Sequence, residues 1–198
     1  MIYKDTTLPL LKIMNSYNND IINEYDKYME GGNPTTMINP EWVPNIKNAQ
    51  ARGYYCNVKG LIIWVYSDPE DNLFHHFPSV KKLITDIDEN PNMQTRFVTV
   101  FISPKKNRVP IHVDAEKEFI DVVEKTSKLK GKAVKQIRAH IPLSIPEKCM
   151  FYHFSDKIEK VQWEIGNCFA FDQCDKHFTM NDSDTDRAII VYDLWLAV

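Results

Sequence analysis

The sequence is short of the features that mark several large functional classes. It has only four cysteines, Cys56, Cys149, Cys168 and Cys174, and no two of them form a C-x-x-C pair. That spacing argues against a zinc knuckle or a redox dithiol, and reduced thiols in an intracellular protein are the plain expectation. No stretch approaches the roughly 18 uninterrupted apolar residues that a membrane-spanning helix needs. The opening residues MIYKDTTLPLLKIMNSYNND hold only a short, interrupted apolar run, unlike a signal peptide. A cytoplasmic protein without a membrane partner is therefore expected. An excess of positive charge is also missing: 24 Lys and Arg stand against 27 Asp and Glu, for a net charge of -3 and a pI of about 6.1. Without a basic field, no nucleic-acid partner is expected. Internal repeats and low-complexity segments are absent.

What is present is an ordinary globular composition, 198 residues with 43% hydrophobic and 26% charged side chains. This excludes a disordered or fibrous chain and suffices for one domain with a full core. Leu10, Leu11, Met14, Tyr17, Ile21, Tyr25, Tyr28 and Met29 recur at three- and four-residue steps, which predicts an amphipathic helix stopped by Gly31 and Gly32. Residues 33–52 read as loop. Residues 58–66, VKGLIIWVY, predict a strand. Pro78 opens a second helix, closed at Asn90-Pro91-Asn92.

From residue 96 the character changes. RFVTVFIS, VPIHVD, KQIRAHIPLSI, CMFYHF, KVQWEI, NCFAFD, KHFTMN and DRAIIVYDLWLAV follow one another, separated by turn chemistry. Short strands in this rhythm predict a mainly β fold of jelly-roll type. Residues 116–134 interrupt it as a charged helical excursion or flap. The expected layout is a single domain over 1–198, with a helical and mixed region to about residue 95 packed on a barrel formed by 96–198.

Pro110-Ile111-His112-Val113-Asp114 is the first chemical signal. Residues i and i+2 of a strand share a face, so His112 and Asp114 can reach one metal ion. They make two thirds of a two-histidine, one-carboxylate triad, which holds iron(II) and leaves coordination positions open. An H-x-D triplet alone occurs often by chance. A third ligand is open among His75, His76, His140, His153 and His177. His177 follows the acidic turn DQCDK, and Arg187 lies ten positions later. Adjacent antiparallel strands joined by the NDSD turn would bring Arg187 beside His177, where its guanidinium fork can clamp a carboxylate. The bland alternative is a surface ion pair with Asp184 or Asp186. His75 and His76 read as turn residues and His153 as structural. Asp172 and Asp175 are either solvated or hold His177 from behind.

RAHIPL, then WEIGNCFAFD, then HFTMND, then DRAIIVYDLW together resemble the aspartyl/asparaginyl β-hydroxylase family, over about residues 96–196. The resemblance implies a double-stranded β-helix (a cupin-like jelly roll) and an iron(II)- and 2-oxoglutarate-dependent oxygenase that consumes O2. Position by position it implies metal ligands His112, Asp114 and His177. It implies Arg187 on the far carboxylate of 2-oxoglutarate, with Arg138 and His140, two apart on one strand face, lining the same pocket. Asp114 departs from the peptide-modifying branch, which lacks this carboxylate, and allies the chain with the proline hydroxylase branch. Hydroxylation of an amino acid, a peptide side chain or a small metabolite is the implied reaction. The reading set against it is a non-catalytic, metal-holding cupin-like barrel that acts as a binding module.

Overall fold

A computed structural model describes residues 1–4, 8–33, 35–37, 58–66, 69–70, 72–114 and 128–198. Among these residues, two helices, α1 (Pro9–Glu30) and α2 (Pro78–Asp88), accompany eleven strands. The strands are β1 (Ile2–Tyr3), β2 (Thr36–Met37), β3 (Lys59–Val65), β4 (Met93–Ser103), β5 (Asn107–His112) and β6 (Val134–Ser144). They continue as β7 (Cys149–Phe154), β8 (Ile158–Gln162), β9 (Phe169–Asp172), β10 (Lys176–Asn181) and β11 (Arg187–Ala197). Most of the predicted loop at 33–52 and most of the excursion at 116–134 lie outside the described residues.

Both helices form where the apolar period and proline predict. α1 and α2 each carry proline in the first turn, where the missing N–H costs nothing and the fixed φ suits a helix. Leu10, Leu11, Met14, Ile21, Tyr25 and Tyr28 of α1 are buried along one stripe, while Met29 falls off it and is exposed. α1 ends at Glu30, and Gly32 follows at φ +65, a left-handed conformation that glycine adopts without strain.

The strands make two sheets. The larger runs β1-β9-β6-β11-β4-β3-β2 and the smaller β5-β10-β7-β8. The region before residue 96 supplies three strands of the larger sheet, since β1 pairs with β9 and β3 with β4. Alternation along β11 assigns its two faces. Ala188, Ile190, Tyr192 and Leu194 join the core under the helices, with Ile137, Ala139 and Ile141 of β6. Ile189 and Val191 face the smaller sheet, in a second core with Cys149, Phe151, Trp163, Phe169 and Phe171. The fold is a jelly roll of two facing sheets, backed by helices on the outer face of the larger one.

In one respect the arrangement differs from the sequence reading. β10 and β11 do not pair; β10 lies between β5 and β7, and β11 between β6 and β4 in the other sheet. Residues 182–186 therefore cross from one sheet to the other instead of closing a hairpin.

The helical backing is an integral part of the core. Ile21 is fully buried in it, and truncation of such a side chain loses both transfer energy and packing. Ile21→Ala should lower the unfolding free energy by about 2–5 kcal/mol, read as a fall in the denaturation midpoint at constant m-value. A change below about 0.5 kcal/mol would mean that α1 does not pack as described.

Candidate active site

Three side chains with metal-binding atoms converge between the sheets. His112, Asp114 and His177 each offer one ligand atom, all within 4.8 Å of one another. β10 and β5 bring the two histidines into register, His177 opposite His112. β5 ends at His112, so Asp114 is held past the strand by its own N–H, which donates to the Gln173 carbonyl at 3.1 Å. The intervening Val113 and the preceding Ile111 point outward and are exposed.

Both imidazoles are oriented alike. His112 Nδ1 lies 2.6 Å from the Pro110 carbonyl, and His177 Nδ1 lies 3.0 Å from the Asp175 carbonyl. A carbonyl accepts only, so each Nδ1 carries a proton and each Nε2 is the nitrogen turned to the carboxylate. His177 Nε2 stands 2.9 Å from Asp114 Oδ2, and His112 Nε2 3.3 Å from Oδ1. The carboxylate of Asp175 does not orient His177; it lies 3.0 Å from Nε2 of the buried His153. Asp172 instead accepts from the Cys174 N–H.

Asp114 Oδ2 is buried and accepts no aligned hydrogen bond, although Arg138 Nη1 approaches it to 2.5 Å. Burial alone would raise the Asp114 pKa, but the Arg138 charge and the two imidazoles outweigh it and hold the acid well below the usual range. Two imidazole Nε2 atoms and one ionised, under-satisfied oxygen match the donor set of an iron(II) facial triad. His112 is pushed down by burial and up by Asp114 and the Pro110 carbonyl, with a net rise. Metal entry must therefore displace a proton that Asp114 helps to hold.

Arg138 is already engaged. Its Nε and Nη2 make a bidentate pair with Asp193 at 2.7 and 2.8 Å, from the opposed position on β11. Burial would lower its pKa, but Asp114 and Asp193 outweigh that and raise it. Arg138 thus braces Asp114, with its Nε and Nη2 taken up by Asp193.

Arg187 is different. It is 2% exposed, and its Nε and Nη1 have no hydrogen-bond partner. The guanidinium lies 4.2 Å above the Trp163 ring. Burial pulls its pKa down to about 10. The ion pairs with Asp184 or Asp186 that the bland reading required are not made. Trp163 also donates from Nε1 to His140 Nδ1 at 3.3 Å, which leaves His140 Nε2 as the protonated nitrogen. The rings of Phe151, Phe169 and Phe171 surround His140. Burial first, then Arg138, Arg187 and His177, keep it neutral, well below its ordinary 6.5. An unpaired buried cation over an indole, beside a neutral imidazole donor, suits a carboxylate.

Two residues here went unnoticed in the sequence. Asp193 shares strand parity with Arg187, Ile189 and Val191, so a charged side chain in an apolar run was its only signal. Trp163 lies just past β8 and left no local signal of its contact with Arg187. His75 and His76 sit in a turn, as read, and Cys149, Cys168 and Cys174 are free thiols. No helix among the described residues is long and apolar enough to cross a membrane.

The sequence profile of aspartyl/asparaginyl beta-hydroxylases matches residues 18–196, so the likeness begins well before residue 96. No curated protein matches the chain. Among solved structures, a Pseudomonas putida prolyl-4-hydroxylase aligns over 93% of this chain and 88% of its own, at 10% identity and a TM-score of 0.55. A viral collagen prolyl hydroxylase from Paramecium bursaria Chlorella virus-1, in complex with 2-oxoglutarate, aligns over 89% and 91%, at 11% identity and a TM-score of 0.51. Over 69% of this chain and 65% of the other, a Burkholderia pseudomallei oxidoreductase of the 2-oxoglutarate–Fe(II) oxygenase family aligns at 12% identity and a TM-score of 0.49. At these identities the shared property is the fold.

The buried neutral His140 has a measurable consequence. A histidine whose folded pKa is depressed contributes stability that is full above the unfolded value near 6.5 and is lost as pH falls toward the folded value. Wild-type protein should therefore lose more stability than His140→Gln between pH 6.5 and 5, measured by denaturant midpoints at each pH. Parallel pH profiles would contradict a neutral, buried His140.

Proposed function

The chain belongs to the aspartyl/asparaginyl β-hydroxylase family, and on that premise we propose that it hydroxylates an unactivated C–H bond of a small molecule or peptide, with His112, Asp114 and His177 as metal ligands and Arg187 as the clamp on 2-oxoglutarate. It is an oxygenase enzyme using iron(II), 2-oxoglutarate and O2. The observation that carries the assignment of residues is a pairing: a converging His-Asp-His group and, on the inner face of the facing sheet, a buried arginine with two unpaired donors. Iron(II), when bound, supplies the redox chemistry that couples O2 reduction and oxidation of 2-oxoglutarate to succinate and CO2 with hydroxylation of the substrate.

The protein's own part is positioning. Arg187 offers Nε and Nη1 to the far carboxylate, and Trp163 fixes the plane of the guanidinium. His140, neutral and tautomerically fixed by Trp163, offers Nε2–H to the same ligand. Arg138 keeps Asp114 ionised and in place, and Asp193 keeps Arg138 in place. Phe151, Phe169 and Phe171 close the site to water, which strengthens each of these charge interactions.

With iron(II), ascorbate and 2-oxoglutarate under air, the protein should release succinate. Asp114→Ala should reduce that release by about a hundredfold or more, at or above the roughly 10–100-fold that losing a mere supporting partner of a ligand costs. Wild-type rates in that variant would remove Asp114 from the triad. Arg187→Met separates binding from stability. Two charge-assisted hydrogen bonds at about 1.5–3 kcal/mol each predict at least a hundredfold weaker 2-oxoglutarate binding by anaerobic calorimetry. The ligand-free protein should keep or raise its Tm, because a buried unpaired charge has been removed. A lowered Tm with unchanged affinity would make Arg187 a structural residue.

A further inference from the structure

One row of side chains beside the triad has no part in the chemistry above. Trp195 on β11 stands opposite Gln136 on β6. The N–H of Gln173, just past β9, donates to the Gln136 carbonyl at 3.0 Å. Trp195, Gln136 and Gln173 are thus neighbours across three strands, and opposed side chains on adjacent strands stand about 5 Å apart. They share the inner face with Asp193, Arg138 and Phe171, one step along the sheet. All three are buried, at 2%, 3% and 1% exposure. Each carries a donor without an acceptor: Trp195 Nε1, Gln136 Nε2 and Gln173 Nε2. Buried donors are nearly always paired, so three orphans in one row mark a site that awaits an acceptor.

The surroundings define that acceptor. Gln136 Oε1 accepts from Arg96 Nη1 at 3.1 Å, which fixes its Nε2 as the free end. Arg96 is the extra residue of a bulge in β4, where Asp193 pairs with Phe97 and Leu194 with Thr95. The bulge turns its cation toward the row, 5.9 Å from the Trp195 ring, as bulges beside active sites do. The Gln173 carbonyl holds the Asp114 N–H, so the row borders the metal ligands. Arg187 lies at the opposite end of β11. The two ends of β11 therefore carry separate sets of unpaired donors.

We propose that Trp195, Gln136 and Gln173 form the subsite for the prime substrate and that it takes a carboxylate. This rests on the oxygenase reading. A carboxylate has about four lone-pair directions, enough for three donors, whereas a single carbonyl oxygen has two and would leave one donor orphaned. The nearby Arg96 charge favours an anion. Trp195 and Tyr66, at 5.7 Å, give the carbon skeleton an apolar wall. The carboxylate can belong to an amino acid or to a plain organic acid.

The chain has four tryptophans, and Trp195→Phe identifies which indole N–H resonance belongs to Trp195 in the 15N-labelled protein. The probes are the free L-amino acids and simple aliphatic acids, each beside its primary amide. At least one acid should move the Trp195 resonance saturably downfield while its amide does not; which series acts names the source. That acid should also stimulate succinate release, with KM raised at least tenfold in Trp195→Phe and in Gln136→Glu and 2-oxoglutarate affinity within twofold of wild type. Succinate release with no shift of the Trp195 resonance by any acid overturns the subsite and leaves the oxygenase standing. A resonance shift without succinate overturns the oxygenase and leaves the carboxylate site. Equal responses to acid and amide, or an unchanged KM in both variants, overturn carboxylate recognition.

Discussion

The constraint on which the structure depends is a buried chain of charge, Asp193–Arg138–Asp114. Two carboxylates and one guanidinium are removed from water, and desolvation of such groups is recovered only when geometry is good and the hydrogen bonds are complete. The bidentate pair of Arg138 with Asp193 meets that condition. Asp114 does not, because its Oδ2 has ionic neighbours and no aligned hydrogen bond. One carboxylate oxygen is left under-satisfied in the network. A divalent cation between Asp114, His112 and His177 is a partner that would satisfy it.

The rest of the fold serves that balance. Pairing of β6 with β11 places Arg138 opposite Asp193. Pairing of β10 with β5 places His177 opposite His112. The Gln173 carbonyl ties Asp114 to the larger sheet, so the triad bridges both layers. Helices α1 and α2 stiffen the larger sheet from outside, which lets its inner face carry polar rows: Arg187 at one end, Trp195 with Gln136 and Gln173 at the other. A similar jelly roll can host unrelated reactions; these rows and the triad are what distinguish one host from another.

Much of this was legible in the sequence where the physics is local. The apolar period and a proline located both helices, and turn chemistry separated the eight strands from β4 onward. The period of two put His112 and Asp114 together, although β5 stops at His112 and a backbone bond to Gln173, just past β9, holds Asp114. Arg187 was singled out on a strand pairing that is not made. It was expected beside His177 on a hairpin, and it sits in the facing sheet instead, because residues 182–186 cross between layers. Asp193 and Trp163 were not found. Their partners, Arg138 and Arg187, are 55 and 24 positions away in sequence, and nothing local records which strands lie opposite. Arg138 was read as lining the co-substrate pocket; its engagement by Asp193 was not legible, since it exists only once β6 and β11 are paired.

The central claim is that one ligand joins the His-Asp-His group to Arg187. Linkage tests it directly, because coupling between two binding events is reciprocal. Anaerobic titration of iron(II), with and without saturating 2-oxoglutarate, measures that coupling. The account predicts one iron(II) per chain, bound at least tenfold more tightly in the presence of 2-oxoglutarate, with the same factor returned in the affinity for 2-oxoglutarate. Equal iron affinities in the two titrations would mean that the ligands bind independently, and the shared site would be wrong.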